Sequence, residues 1–377
     1  MKGRRFLAKL IGLVLLASGL LKLIDPVGTG LIVAEYFKFF HVAFLLGISK
    51  GFGVALCLLE TITGAALITG AYRKLAAIVS TALIGVFTII TLILLIANPE
   101  MDCGCFGQAI HLTHLQSFLK NVVLLAIALA AFIPFRNPGE TPKHKTVVFW
   151  VGTATIVLAM VYSLTHLPVM DFTDFKPGSV IMAARRALRP AQDSFHAAYI
   201  YEKDGVQESF TLDRLPDTTW TFVKVDTVYR NRPEIKAPVL SIRDSDGNYR
   251  DSDAALGQVM VFSVYNPETC NWEQLEANTA KVPEGVACIV LATEETHGAM
   301  VSDYRTLIAL NRANGGITYL SEGEVIRKWQ PRDYPSTEAL DRLLQADATE
   351  ARVKSVTPGR IMAEGYALVL LAILIIL

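Results

Sequence analysis

Leu75–Ala97 reads LAAIVSTALIGVFTIITLILLIA, with no charged residue and no proline. A helix needs about 20 such residues to cross the hydrocarbon core of a bilayer, where no water satisfies unpaired backbone groups. Four further runs meet the same condition: Phe6–Ile24, Gly51–Ala71, Leu115–Phe135 and Val147–Leu164. Ile361–Leu377 lies at the lower length limit and is expected to be a sixth span, with a buried terminal helix as the alternative. The chain has 377 residues, of which 52% are hydrophobic, too apolar for one soluble globule of that length. The average conceals a division. Long apolar runs dominate up to about Leu164, whereas Pro168–Gly359 has ordinary soluble composition. The 35 basic and 35 acidic residues balance, and no basic stripe interleaves with aromatics, which excludes nucleic acid as a partner.

Basic residues resist translocation and mark the cytoplasmic side. With a cytoplasmic amino terminus, Lys2, Arg4 and Arg5, then Arg73 and Lys74, then Arg136, Lys143 and Lys145 all fall inside. The Asn98–His114 loop has no Lys or Arg and falls outside. Leu31–Leu46 is interrupted by Glu35, Lys38 and His41, and counting it as a span would export Arg73 and Lys74, so an interfacial helix is expected there. The start could also be a cleavable signal peptide, but no clear small-x-small cleavage site follows and the run continues into Lys22 and Asp25; a retained first helix is expected. These assignments predict a multi-pass protein of the cell inner membrane whose soluble part is periplasmic, beside the Cys103 loop.

In that soluble part, 168–257 reads as a β-rich segment with turns at Asp204-Gly205 and Asp246-Gly247. From 258 to 346 the pattern becomes regular. Strand Val259–Tyr265, a helical stretch from Glu268, strand Val286–Leu291, a helix from about Val301 to Arg312, a hairpin across Ser321-Glu322-Gly323 and a helix near Thr337–Leu344 follow in turn. That is the element order of a thioredoxin-like core.

Of five cysteines, only Cys103 and Cys105 are close in sequence, within Cys103-Gly104-Cys105-Phe106-Gly107. Cysteines two apart close only a tight ring, which Gly104 makes more accessible. Strain favours the dithiol, so the bridge would be oxidising and readily reduced. The alternatives are a structural pair, or a metal site completed by His111 and His114, although their spacing matches no common zinc pattern. Glu60 lies near the middle of the second span, where an ionised group is costly unless paired. It is a candidate proton acceptor for thiol chemistry, with an interhelical hydrogen bond or ion pair as the plainer reading. Lys22 and Lys120, toward the exported ends of their helices, could approach it from above, and Gly64 permits close helix contact. Cys270 is expected at the start of a helix, where the dipole lowers a thiol pKa. It has no second cysteine in Cys270-Asn271-Trp272-Glu273, and no proline immediately precedes Ile317. Cys288 is expected to be inert core.

The pattern Ser18-Gly19-Leu20-Leu21-Lys22-Leu23-Ile24-Asp25-Pro26, Glu35-Tyr36-Phe37, Glu60, Cys103-Gly-Cys-Phe-Gly and Lys120-Asn121 resembles the DoxX superfamily, and more closely its MauE-like redox-associated branch. The resemblance implies a membrane all-α architecture. A four-helix DoxX/MauE-like bundle over 1–136 would be joined by additional helices at 147–164 and 361–377, with an exported α/β thioredoxin-like domain at 258–346 that lacks its catalytic motif. It further implies a part in thiol–disulfide exchange or oxidative maturation of exported proteins through Cys103, Cys105 and Glu60. Its partners would be the lipid bilayer and an exported client or periplasmic redox partner. Analogy with other four-helix disulfide-forming membrane proteins suggests a quinone as electron partner. The competing class is a non-enzymatic anchoring factor with a structural cysteine pair, motivated by the absent Cys-x-x-Cys; a transporter is disfavoured because no inverted repeat is visible.

Overall fold

The apolar runs form helices in the computed structural model, which describes residues 2–99, 101–133, 141–184, 196–203, 206–210, 215–217, 219–228 and 237–376. Helix α1 covers Lys2–Ile24, α2 Pro26–Phe39, α3 Ser49–Thr69, α4 Arg73–Ala97, α5 His114–Phe132 and α6 Lys143–Thr165. Among the described residues six helical segments are long and apolar enough to cross a membrane: Gly3–Ile24, Ala43–Thr69, Arg73–Ala97, His114–Phe132, Lys143–Thr165 and Ala348–Ile375. Their outer faces carry exposed Phe6, Leu75, Ile89, Ile96, Leu158 and Leu368, a surface that suits lipid rather than water. The chain therefore has a multi-pass helical membrane region with a separate α/β part. The expected end of the fourth span at Phe135 and the Asp204-Gly205 turn lie outside the described residues.

Leu31–Leu46 forms no span. Asp25 caps α2 by accepting from the Gly28 amide at 2.8 Å, Pro26 supplies the first helical φ, and the helix ends at Phe39 before a 3-10 turn, Ala43–Ile48, leads into α3. Helices α1 and α3 pack closely because glycines line their contact. A Cβ on Gly64 would sit 2.5 Å from the Leu16 amide nitrogen, and one on Gly19 2.2 Å from Thr61 Oγ1. Gly64→Val should therefore force the helices apart, costing about 1–3 kcal/mol by overpacking. A lowered thermal midpoint of the purified protein in detergent is the expected readout.

The sixth membrane-compatible helix differs from expectation in length. It is one continuous element, α10 (Ala348–Ile376), that begins in the soluble part rather than at Ile361. Its first turns pair with the sheet described below, through Arg352 with Glu324 and Ser355 Oγ donating to the Ile326 carbonyl at 3.1 Å. Farther on, Leu370 and Leu374 pack with Ile156 and Met160 of α6.

Among the described residues the soluble part contains two sheets. Strands β2 (His196–Lys203), β3 (Val206–Phe210) and β4 (Thr221–Val228) form an antiparallel sheet of order β3-β2-β4, after the short β1 (Cys105–Gln108) of the membrane region. The second contains β5 (Gln258–Val264), β6 (Ala287–Ala292), β7 (Met300–Val301), β8 (Gly316–Ser321) and β9 (Glu324–Trp329), in the order β7-β6-β5-β8-β9. β5 runs parallel to β6 and antiparallel to β8, and β8 and β9 form the hairpin expected from the sequence. Its two-residue turn places Glu322 at φ 49° and Gly323 at φ 69°, both in the left-handed region that tight hairpins need. β5 is buried along Val259–Val264, so its sequence is a continuous apolar run except for Ser263. Val259 and Val261 face a core with Leu307 and Leu310 of α8 (Tyr304–Leu310). Met260, Phe262 and Val264 face one with Leu275 of α7 (Trp272–Thr279) and Leu340 of α9 (Thr337–Gln345).

Candidate functional site

The loop between α4 and α5 folds back onto the end of the bundle formed by α1 and α2. Gly104 has φ 61°, and a Cβ there would lie 2.5 Å from Ile32 Cγ2, so both backbone conformation and space require glycine. Tyr36 of α2 donates its hydroxyl to the Cys103 carbonyl at 2.6 Å. On the following residues the hold comes from α1: Lys22 Nζ donates to the Cys105 carbonyl at 2.8 Å. Ser18 Oγ lies 2.7 Å from the same carbonyl and 2.7 Å from Glu60 Oε2; with a single proton, it donates to one of them at a time.

Glu60 is completely buried in α3, and Lys22 is the partner that makes this tenable. The ammonium lies 2.7 Å from each carboxylate oxygen, with 2% and 0% of the two side chains exposed. Lys22 and Ser18 are four residues apart and so share one face of α1, joined by a 3.0 Å hydrogen bond. The intramembrane pair and the cysteine loop thus form one network. Glu60 reaches the loop through Lys22, Ser18 and the Cys105 carbonyl. Lys120 goes elsewhere: its ammonium stacks over the Phe106 ring at 4.6 Å and lies beside the Cys105 sulfur.

The two sulfurs are both thiols and hydrogen-bond each other, but their surroundings differ. Cys103 is buried, and its Sγ is 2.7 Å from Ser117 Oγ in the first turn of α5. Hydrogen bonding to the Cys105 sulfur, reinforced by burial, pushes its pKa well above the ordinary thiol range. The same hydrogen bond stabilises a Cys105 thiolate, and the Lys120 and Lys22 ammoniums add to it against the opposing effect of burial, drawing Cys105 down to about 6. Of the two, Cys105 thus has the greater thiolate character and Cys103 the lesser.

The soluble part sits on this end of the bundle. Arg312, just after α8, donates through Nη2 at 2.7 Å and Nε at 3.0 Å to Asp25 Oδ2, and through Nη2 at 2.5 Å to Gln108 Oε1, three residues after Cys105. Asp25 thus caps α2 with one oxygen and binds Arg312 with the other. Arg305 pairs with Glu35 at 3.1 Å, and Lys50 lies over the Tyr265 ring at 5.5 Å. Because Asp25 is 4% exposed, Arg312→Ala would leave a buried carboxylate unpaired, at a cost of about 3–5 kcal/mol. Faster protease cleavage between the membrane and soluble parts, with the helices intact, is the expected result.

Residues 5–134 match the family model described as methylamine utilisation protein MauE. The membrane bundle is MauE-like. Residues 195–230, which contain β2–β4, match the model described as a domain of unknown function (DUF8463). No curated protein and no solved structure matches the chain. The MauE-like region holds Ser18, Lys22, Tyr36, Glu60, Cys103, Cys105 and Lys120 together.

Other candidates stand apart from this network. His111 pairs with Asp102 at 3.0 Å and His114 Nε2 is 3.0 Å from the Pro99 carbonyl; among the described residues no group of three or more His, Cys, Asp or Glu is placed to hold a metal ion. Cys270 departs from expectation. The helix starts two residues later, with Asn271 as its cap, and burial pushes the Cys270 thiol up rather than down. Cys288 is exposed, not core, because β7 pairs with β6 only at Leu291 and Ala292 and leaves the start of β6 as an open edge. Ser18, Tyr36 and Ser117 were given no role by sequence reasoning. The i,i+4 spacing of Ser18 and Lys22 within an otherwise apolar span is the signal that could have found the first.

Proposed function

We propose that this protein is a membrane thiol–disulfide component of the inner membrane that introduces disulfides into exported proteins through Cys103 and Cys105. The observation that carries this reading is the asymmetry of the two thiols, one nucleophilic beside two ammoniums and one held protonated by its neighbour and by burial. In the oxidised state a client thiolate attacks the sulfur of Cys105. The S–S bond to Cys103 breaks, a client–Cys105 mixed disulfide forms, and Cys103 leaves and takes up a proton. A second client thiolate then attacks the client sulfur, forming the client disulfide and releasing the Cys105 thiolate, a good leaving group because its pKa is low. Glu60 acts as a positioning residue: it fixes Lys22, which holds the Cys105 carbonyl and favours the thiolate.

Two observations support an exported loop and soluble domain. Arg73 and Lys145 gather near Gly70 at the opposite end of the bundle, where Tyr72, Phe149 and Trp150 form an aromatic cluster; basic and aromatic residues together suit a cytoplasmic interface. The Cys loop carries no basic residue. The order β6-β5-β8-β9, with β5 and β6 parallel and β8 and β9 antiparallel, supports a thioredoxin-like reading of 258–346. Without a second cysteine after Cys270, this domain binds the client and presents it to the loop on which it docks. The test is trapping. Cys103→Ser should leave Cys105 to attack the disulfide of oxidised client, one client sulfur departing as thiolate, so that client disulfide-linked to Cys105 accumulates in cells above the level of the unaltered chain and is resolved by reductant on gels; absence of any such adduct, with client disulfides forming normally, would overturn the reading.

A further inference from the structure

The soluble part meets the membrane helices along a second seam, where β9 faces the end of α6 and the first half of α10. A cavity of about 680 Å³ lies in this seam, between Tyr162, Met170 and Ser355. Five basic side chains line it, Lys176, Arg312, Arg327, Lys328 and Arg360, against the carboxylates of Asp171 and Glu364. Three of the five have carboxylate partners: Arg312 holds Asp25, Lys328 holds Asp171 at 2.6 Å and Arg360 holds Glu364 at 2.7 Å. Among the described residues Arg327 and Lys176 have none. Lys176 is exposed, whereas Arg327 is half-buried with its guanidinium carbon 5.3 Å from the centroid of the Trp329 ring. Burial disfavours the Arg327 charge, and no carboxylate offsets this. The cavity continues into the membrane region. It shares Tyr162, Val169, Met170 and Met362 with a groove of about 730 Å³ between α1, α6 and α10, whose lining includes Leu16, Leu20 and Leu371. Leu13 and Leu158 also line the groove and are exposed on the outside of the bundle, so it opens toward lipid. It follows α1 from Leu13 to Ile24, about 16 Å at 1.5 Å per residue, close to half the thickness of a hydrocarbon core.

We infer that an anionic phospholipid of the leaflet on the cysteine-loop side occupies this seam, its phosphate at Arg327 and Lys176 and one acyl chain in the groove. A phosphate diester is ionised at neutral pH and accepts paired hydrogen bonds from a guanidinium, so it supplies the counter-charge that Arg327 lacks. Arg360 can join it, because both members of its pair with Glu364 are more than half exposed and such a pair is worth little. The surplus of basic groups disfavours a headgroup that carries its own ammonium. A soluble anion would leave the groove unfilled. A membrane-spanning helix of another protein would need a face about 30 Å long, roughly twice the depth of the groove, whereas a single acyl chain needs one leaflet. Lipid held there would fasten β9 to α6 and α10, beside the hydrogen bond from Arg332 to the Thr165 carbonyl. Arg327, Lys176, α6 and α10 all lie outside residues 5–134, so the site belongs to what is added to the MauE-like bundle. Neither Cys103 nor Cys105 lines the seam, and this binding goes beyond the thiol–disulfide reading.

The test titrates the delipidated full chain in detergent with phosphatidylglycerol, or with zwitterionic phosphatidylethanolamine, and follows binding by native mass spectrometry. One phosphatidylglycerol per chain is expected, bound about tenfold more tightly than phosphatidylethanolamine. Arg327→Gln should lower the affinity for phosphatidylglycerol about tenfold, and Arg327→Lys should restore part of it. Ala363→Trp, which fills the groove from α10, should weaken both lipids alike. Photolabelling of the unaltered chain in nanodiscs, by phosphatidylglycerol with a diazirine in its acyl chain, should mark α1, α6 and α10 around Leu20, Leu158 and Ala363, however any variant folds. Equal binding of the two lipids, unchanged affinity in Arg327→Gln, or label confined to other helices would each overturn the site. Displacement of phosphatidylglycerol by excess inorganic phosphate would overturn it in favour of a soluble-anion pocket. A stable dimer that shields the groove from the label would assign it instead to a second copy of the chain.

Discussion

Lys22→Met should destabilise the protein by about 3–5 kcal/mol, because it leaves the Glu60 carboxylate in the bundle without the ammonium that now lies 2.7 Å from both of its oxygens. Removing one member of a buried pair is far costlier than removing both, since the survivor cannot regain water. Lys22→Met combined with Glu60→Leu should therefore recover most of the lost stability, close to that of the natural protein. It should not recover function, because the Cys105 carbonyl loses Lys22 and the thiolate loses one of its two neighbouring charges. Thermal unfolding in detergent measures the first effect and client oxidation the second. A double variant that restored both would show that the pair serves stability alone.

Cys105→Ser and Cys103→Ser should both reduce client oxidation to background, but only Cys103→Ser should leave a reactive thiol that forms adducts with oxidised client. The asymmetry follows from thiolate population. With a pKa of about 6, Cys105 is mostly ionised at pH 7, while a thiol at an ordinary value of about 8.5 is only a few per cent ionised. The surviving Cys103 in the Cys105→Ser chain is held above the ordinary range by burial, so its alkylation at pH 7 should be slower by at least about tenfold. The sign of the pH dependence is fixed by the same shift. Cys105 reactivity toward iodoacetamide should rise as pH increases through 6 and level off above it, rather than rising through the ordinary thiol range. Because the hydrogen bond from Cys103 is the largest contribution to the Cys105 shift, Cys103→Ala should move this midpoint upward.

Much of the membrane region was legible because hydrocarbon imposes a hard length and polarity rule. The Leu75–Ala97 run has no other stable fate, and α4 covers it. Glu60 stood out for the same reason, since a carboxylate in mid-span demands a partner. Which partner was not legible, because the meeting of Lys22 with Glu60 depends on how closely α1 approaches α3. That approach is set by Gly12 against Leu67, Gly19 against Thr61 and Gly64 against Leu16, a tertiary fit that one-dimensional pattern does not reveal. The cysteine loop was legible as chemistry but not as geometry: Tyr36 and Lys22 anchor it through its carbonyls, which every residue has. The inversion at Cys270 came from a four-residue error in the helix start, expected at Glu268 and found at Trp272. A thiol one position before the cap gains little from the helix amides, and burial then governs it. At Cys288 the apolar neighbours suggested a core, yet burial depended on β7, which is too short to cover that end of β6.

The central claim is that Cys103 and Cys105 cycle between dithiol and disulfide. The most direct measurement is their redox state in growing cells, by acid quenching and differential alkylation followed by mass spectrometry, with and without depletion of membrane quinone. The account predicts a mixture of the two states that shifts toward the dithiol when quinone is removed and toward the disulfide when the client is absent. A pair fixed in one state under all of these conditions would contradict it and leave the loop a structural element of a membrane anchor.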